Sequence, residues 1–250
     1  MTKIEWANET LNPFHGCTKC SPGCIECYAE KMTRRLAGMG KYCYKGIIDE
    51  CGKWNGTVTF NPSVMEKALN WKKPKMIFIN SMSDTFHEKV YPVWLAMIFD
   101  VMARCPQHTF LILTKRPEIA LEHKNNLMLE PYFGMKNIWF GVTAENQEMA
   151  EKRIPVLLQI PAAKRFVSIE PMLDGIYLIP DWRMKLDWVI CGGMSGTDKY
   201  PIEPVWVRFL QKQCENANVP FLFKQWGGRN KKANGRLLDG LLYDEYPEHQ

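Results

Sequence analysis

Six short runs rich in β-branched and aromatic residues recur along the chain, with room for about one helix between most neighbours, and this alternation constrains the fold most. The runs are Met76–Asn80, Thr109–Thr114, Asn137–Thr143, Lys164–Glu170, Asp187–Cys191 and Pro220–Lys224. Helical patterns fall at Cys27–Leu36, Pro62–Trp71, Val93–Arg104, Gln147–Gln159 and Pro204–Asn216. A first strand near Ile4–Trp6 and another near Thr57–Phe60 bring the count toward eight. The expected fold is therefore α/β, a complete or partial (β/α) TIM-like barrel, and 250 residues is a typical length for one. With no low-complexity tract or Ser/Gly linker, residues 1–250 read as one domain. Gly38 to Gly56 reads as a loop insertion, and the polar tail, 227–250, is expected on the barrel rim.

Several strand ends carry compact polar clusters, among them Asn80-Ser81-Met82-Ser83-Asp84, Thr114-Lys115-Arg116-Pro117-Glu118, Gly141-Val142-Thr143-Ala144-Glu145, Ser168-Ile169-Glu170-Pro171, Cys191-Gly192-Gly193 and Lys224-Gln225-Trp226-Gly227-Gly228. In a β/α barrel the C-terminal strand ends line the active site. Any one cluster is also ordinary turn and cap chemistry, but a series at successive strand ends points to a common mouth. Nine cysteines would suggest disulfides in an exported chain, yet Met1 to Trp6 lack a basic start followed by an apolar stretch. Reduced thiols and a cytoplasmic location are expected. No apolar run approaches the roughly 18 residues that cross a bilayer, so no membrane partner is expected. A net charge of +5 and a pI near 8.6 permit a nucleic-acid partner without requiring one.

The strongest chemical signal is Asn12-Pro13-Phe14-His15-Gly16-Cys17-Thr18-Lys19-Cys20-Ser21-Pro22-Gly23-Cys24-Ile25-Glu26-Cys27-Tyr28-Ala29-Glu30, a cluster loop over residues 12–30. Four thiols within eleven residues on a Pro/Gly-rich loop have no apolar face to pack against, so they read as metal ligands. The pairs Cys17/Cys20 and Cys24/Cys27 have the C-x2-C form of a zinc site, but only three residues separate them, where zinc sites usually place a dozen or more. Three thiolates on a tight loop suit a [4Fe–4S] cluster with one open iron, and Cys20, Cys24 and Cys27 have the C-x3-C-x2-C spacing of radical S-adenosylmethionine enzymes.

At the level of whole motifs the chain resembles the phage- and prophage-associated three-cysteine-motif family of radical S-adenosylmethionine-like proteins. The resemblance runs almost end to end. It is carried by Lys3-Ile4-Glu5-Trp6, Asn12-Pro13, Gly16-Cys17-Thr18-Lys19, Ser21-Pro22-Gly23-Cys24, Cys27-Tyr28-Ala29-Glu30, the clusters at Asn80 and Thr114, Arg165-Phe166-Val167-Ser168, Glu170-Pro171, Leu186-Asp187-Trp188-Val189-Ile190, Gly192-Gly193 and Phe223-Lys224-Gln225-Trp226-Gly227-Gly228. The resemblance implies a barrel of the radical S-adenosylmethionine type, with a [4Fe–4S] cluster and S-adenosylmethionine as cofactors. The family's cysteines match Cys17, Cys24 and Cys27, with an apolar residue usual at Cys20, so Cys17 is the favoured third ligand and Cys20 the alternative. Met194 stands where the family often has Glu.

The resemblance further implies an isomerase of thymidine hypermodification, converting N-glycyl-thymidine to C-glycyl-thymidine in viral DNA or as nucleotide, with an external electron donor. A phage-encoded chain would work in the host cytoplasm. By analogy with similar barrels, Asn80, Ser81, Ser83 and Asp84 are expected to bind the amino, carboxylate or ribose groups of S-adenosylmethionine, though Ser83 or Asp84 would equally serve as a helix cap. Glu145 and Glu170 are expected on the cofactor ribose or substrate amine, or in salt bridges with Lys115 or Arg116, and Lys224 and Gln225 on a carboxylate or phosphate. Arg229, Lys231, Lys232 and Arg236, with Trp226 nearby, form a basic run that reads as a solvated face or a DNA-backbone contact. His15 and His87 are not expected to act as general bases. The competing class is a metal-binding, nucleic-acid-associated module without turnover, carrying zinc or iron–sulfur.

Overall fold

A computed structural model of the chain describes residues 4–248. In chain order the elements are β1 (Glu9–Leu11), β2 (Phe14–His15), α1 (Tyr28–Gly38), β3 (Thr59–Phe60), α2 (Glu66–Asn70), β4 (Met76–Ile79), α3 (Pro92–Ala103), β5 (Thr109–Thr114), α4 (Pro117–His123), β6 (Ile138–Thr143) and α5 (Gln147–Leu157). They continue with β7 (Arg165–Ile169), α6 (Pro180–Arg183), β8 (Trp188–Gly192), α7 (Pro204–Asn216), β9 (Phe221–Gln225), α8 (Lys231–Asn234), β10 (Leu237–Leu238) and β11 (Leu241–Leu242).

Seven strands form one sheet in the order β1-β4-β5-β6-β7-β8-β9, every pairing parallel. The sheet curls into a half-barrel, the partial form of the expected architecture. Two strand expectations need correction. Ile4–Trp6 forms a turn and not a strand, because Trp6 is used as a buried plug; the first strand is Glu9–Leu11. Of Thr57–Phe60 only Thr59–Phe60 is a strand, and it pairs antiparallel with β2 outside the main sheet. Lys3 of the first family motif lies outside the described residues.

The strands read as near-continuous apolar runs because both faces are covered. On the convex side Ile77, Phe110, Ile112, Phe140, Val167, Val189 and Phe221 pack against the helices. On the concave side Met76, Phe78, Leu111, Trp139, Phe166, Trp188, Ile190 and Leu222 form a second layer closed by Trp6. Each such large apolar side chain contributes about 1.5–3 kcal/mol on burial. The Trp6 ring lies 4.6 Å from Phe78 and 6.4 Å from both Phe166 and Trp188. Room for this layer comes from Gly141, where a Cβ would sit 2.4 Å from Cε2 of Phe166.

The helices follow from local chemistry. Asn146 caps α5 by accepting from the Met149 amide at 3.0 Å, and α7 starts on Pro204 and buries Val207, Leu210 and Cys214 along one stripe. After α8 the tail returns along β9: the Phe223 amide donates to Tyr243 and the Glu245 amide to Phe221, so the edge strand is covered. The opposite edge of the curl meets this tail through side chains. Glu5 lies 3.4 Å from Lys231 and 4.0 Å from Lys224, and the Tyr246 hydroxyl donates to the Glu5 carbonyl at 3.1 Å.

Candidate functional site

The cysteine loop crosses the C-terminal ends of β4, β5 and β6, as a barrel active site requires. Its turn begins at Gly16, with φ +96°, where a Cβ would lie 2.0 Å from the Thr57 carbonyl oxygen; no other residue fits. Ser83 Oγ donates to the Gly16 carbonyl at 2.5 Å, fixing the loop to the end of β4. Pro22–Cys24 make one 3-10 turn, and Cys27 precedes the first residue of α1.

Two ionic centres hold the loop in place. At the first, Arg116 Nη2 donates to the Thr18 carbonyl at 3.1 Å and to Thr18 Oγ1 at 2.6 Å, while Nη1 reaches Cys17 Sγ at 3.9 Å and Asp84 Oδ2 at 3.2 Å. Asp84 also accepts from the Phe86 amide, Thr114 Oγ1 and the Lys115 amide. At the second, Glu145 is fully buried and accepts from the Gly23 amide at 2.9 Å and from Arg153 Nη1 at 2.8 Å, with Lys115 Nζ 3.8 Å away. Burial alone would push the Glu145 carboxyl up, but the charges of Lys115 and Arg153 and the loop hydrogen bonds override it and hold the group below the usual carboxylate range.

Cys24 is buried, Cys17 and Cys27 are half-buried, and Cys20 is exposed. The neighbouring Cys20 thiol and the Lys115 charge pull the Cys24 thiol down, while Cys24 and burial push Cys20 up. Burial and the Asp84 charge push Cys17 up to about 12, against the pull of Arg116. Among the described residues no three Cys, His, Asp or Glu side chains gather round a single point to hold one ion. A [4Fe–4S] cluster makes a different demand, since each thiolate ligates its own iron. The donor chemistry suits that demand: soft sulfur ligands on one loop, with Arg116 drawing Cys17 and Lys115 drawing Cys24 toward thiolate against their burial.

The other expected residues divide into two groups. Glu170 and Lys224 face the concave mouth and form an ion pair with each other. The side chains of Asn80, Ser81, Ser83, Asp84 and Gln225 are engaged with protein partners. Asn80, with φ 63°, accepts from the Phe14 amide at 3.1 Å and donates to Thr85 at 2.9 Å. Ser81 Oγ donates to Asn12 at 3.1 Å, and Gln225 bridges the Gly193 carbonyl, Ser195 Oγ and the Gly227 amide. Asp84 caps its own turn and not α3, whose N-cap is Tyr91. Met194 is buried and its carbonyl accepts from the Gly228 amide.

Sequence reasoning missed Ser168 and Arg153 as site residues. Ser168 sits on β7 at the top of the concave face, 1% exposed, and its Oγ is buried without a hydrogen-bond partner. A buried hydroxyl without a protein partner is uncommon, since most buried polar groups are satisfied. Arg153 stands one turn after Met149 on the buried stripe of α5, a charge in an apolar stripe that does signal a buried partner. His15, pushed down to about 4 by burial, stacks edge-on against Tyr44, and His87 is lowered by burial and by Arg116. The basic run in the tail is largely neutralised: Arg229 pairs with Asp198, Lys231 with Glu5 and Arg236 with Asp244.

Among the described residues no helix is long and apolar enough to cross a membrane. A family model described as a protein of unknown function, DUF5131, matches residues 1–247. No curated protein and no solved structure matches the chain.

Proposed function

The chain belongs to that DUF5131 family, and from this premise we propose a radical S-adenosylmethionine enzyme built on a partial barrel of that type. The observation that carries the reading is one of placement: four thiols on a single turn-rich loop lie over the C-terminal ends of a curled parallel sheet, beside Arg116 and Lys115. A closed structural zinc site has no use for such a mouth.

Cys17, Cys24 and Cys27 would hold the [4Fe–4S] cluster, with Cys20 exposed on the same loop. Bound there with S-adenosylmethionine and an external electron donor, such a cluster would supply one-electron chemistry for hydrogen abstraction from an unactivated carbon. The chain's own part is to orient and to exclude. Arg116 and Glu145 pin the two halves of the cysteine loop, at Thr18 and at Gly23. Glu170 and Lys224 offer a negative and a positive group to the mouth, the complement of a zwitterionic amino-acid moiety. The apolar layer headed by Ile190 and Phe166 closes the bottom of the mouth to water.

The substrate assigned on the resemblance is thymidine bearing an N-linked glycyl group, isomerised to the C-linked form, as nucleotide or within DNA. Such a transfer between nitrogen and carbon needs bond-breaking at an unactivated carbon, which acid–base groups do poorly and a radical does readily.

The test is anaerobic reconstitution with iron and sulfide, followed by assay for 5′-deoxyadenosine from S-adenosylmethionine under strong reductant. Formation in the wild type and none in Cys24→Ala supports the reading. A colourless protein carrying one zinc, or a loaded cluster with no cleavage, overturns it.

A further inference from the structure

A second cavity opens at the far end of the sheet, where the strands begin. Its volume is about 540 Å³, inside the roughly 300–1,000 Å³ range of small-molecule sites. Its lining includes no residue of the cysteine loop, and its base is residues of the concave apolar layer. Trp6 and Trp139 lie at its base, Tyr246 of the tail forms one wall, and Lys75, Lys136 and Lys164 stand at its edge, next to the first residues of β4, β6 and β7.

The charge there is unbalanced. Lys75 pairs with Glu9 at 3.1 Å, Lys164 with Asp187 at 3.2 Å and the lining carboxylate of Glu5 with Lys231 at 3.4 Å, whereas Lys136 is exposed and has no ion-pair partner among the described residues.

We propose that this cavity binds a mononucleotide-class ligand, an aromatic base carrying a phosphate. The indole and phenol walls suit a flat apolar body. Lys136, backed by the two paired lysines, suits the phosphate. The site owes nothing to the cysteine loop and stands whether or not the radical chemistry does.

Titration of the protein with adenosine monophosphate, read by quenching of tryptophan fluorescence, tests it. The expected result is saturable quenching that survives Cys24→Ala and weakens about tenfold in Lys136→Glu, the scale of one lost charge-assisted contact. Lys136 is exposed, so its replacement leaves the fold intact. Inorganic phosphate alone should not compete at equal concentration. Absence of saturable quenching, equal affinity in Lys136→Glu, or equal competition by phosphate would each overturn the proposal.

Discussion

Arg116, at the end of β5, holds Thr18 of the cysteine loop by two donations from a single nitrogen, at 2.6 and 3.1 Å, while its other terminal nitrogen grips Asp84. The guanidinium and carboxylate are both more than nine-tenths buried, so the loop is tied to the sheet through a desolvated ion pair. A lysine has one point of charge and cannot span both partners.

Arg116→Met should therefore destabilise the protein by about 3–5 kcal/mol, because it leaves the Asp84 charge buried and unpaired. Denaturant unfolding measures this. The double variant Arg116→Met/Asp84→Asn should recover part of the loss; if it does not, the pair is not the source.

Iron content should sort the four loop thiols. Cys17→Ser, Cys24→Ser and Cys27→Ser are expected to lose most bound iron after reconstitution, and Cys20→Ser to retain it. Retention in Cys17→Ser with loss in Cys20→Ser would reverse the choice of third ligand.

Acid should expose the second anchor. The Glu145 carboxyl is held below its ordinary value near 4.5, so its contribution is complete above that value and disappears as pH falls through the lower folded value. The Glu145→Gln variant should be less stable than wild type at pH 7, with a stability profile less steep below about pH 4.5. Urea midpoints between pH 7 and pH 3 read out both effects.

Gly141→Ala should cost about 1–3 kcal/mol by overpacking, since the new methyl would lie 2.4 Å from the Phe166 ring. Thermal unfolding would show it, and pairing the change with Phe166→Leu should relieve part of the loss.

Much of the half-barrel was legible in the sequence because fully buried parallel strands announce themselves as apolar runs. Thr109–Thr114 and Pro204–Asn216 match the structure residue for residue. The first strand was not legible, because Glu9-Thr10-Leu11 is short and half polar, whereas Trp6 mimics a strand residue while serving as a plug. Helix α4 was hidden by its own start: Arg116-Pro117-Glu118 looks like a turn until the helix after Pro117 is seen. At the site, the sequence marked Asp84 and Glu145 as polar strand-end groups. It could not reveal that Arg116, 32 residues from Asp84, occupies that carboxylate, which partner the buried Arg153 takes, or that Ser168 is left without one.

The contacts of Glu5 with Lys224, Lys231 and Tyr246 make the segment before β1 and the tail from β9 onward a clasp across the open side of the curl. A barrel closed by a backbone ladder resists opening along its whole length; one fastened by a few charged side chains can be unbuttoned at a single place. Clipping the tail and trimming the first few residues should thus produce the same defect, a sheet intact in its pairing but free to splay, with Trp6 as the first core residue to meet water.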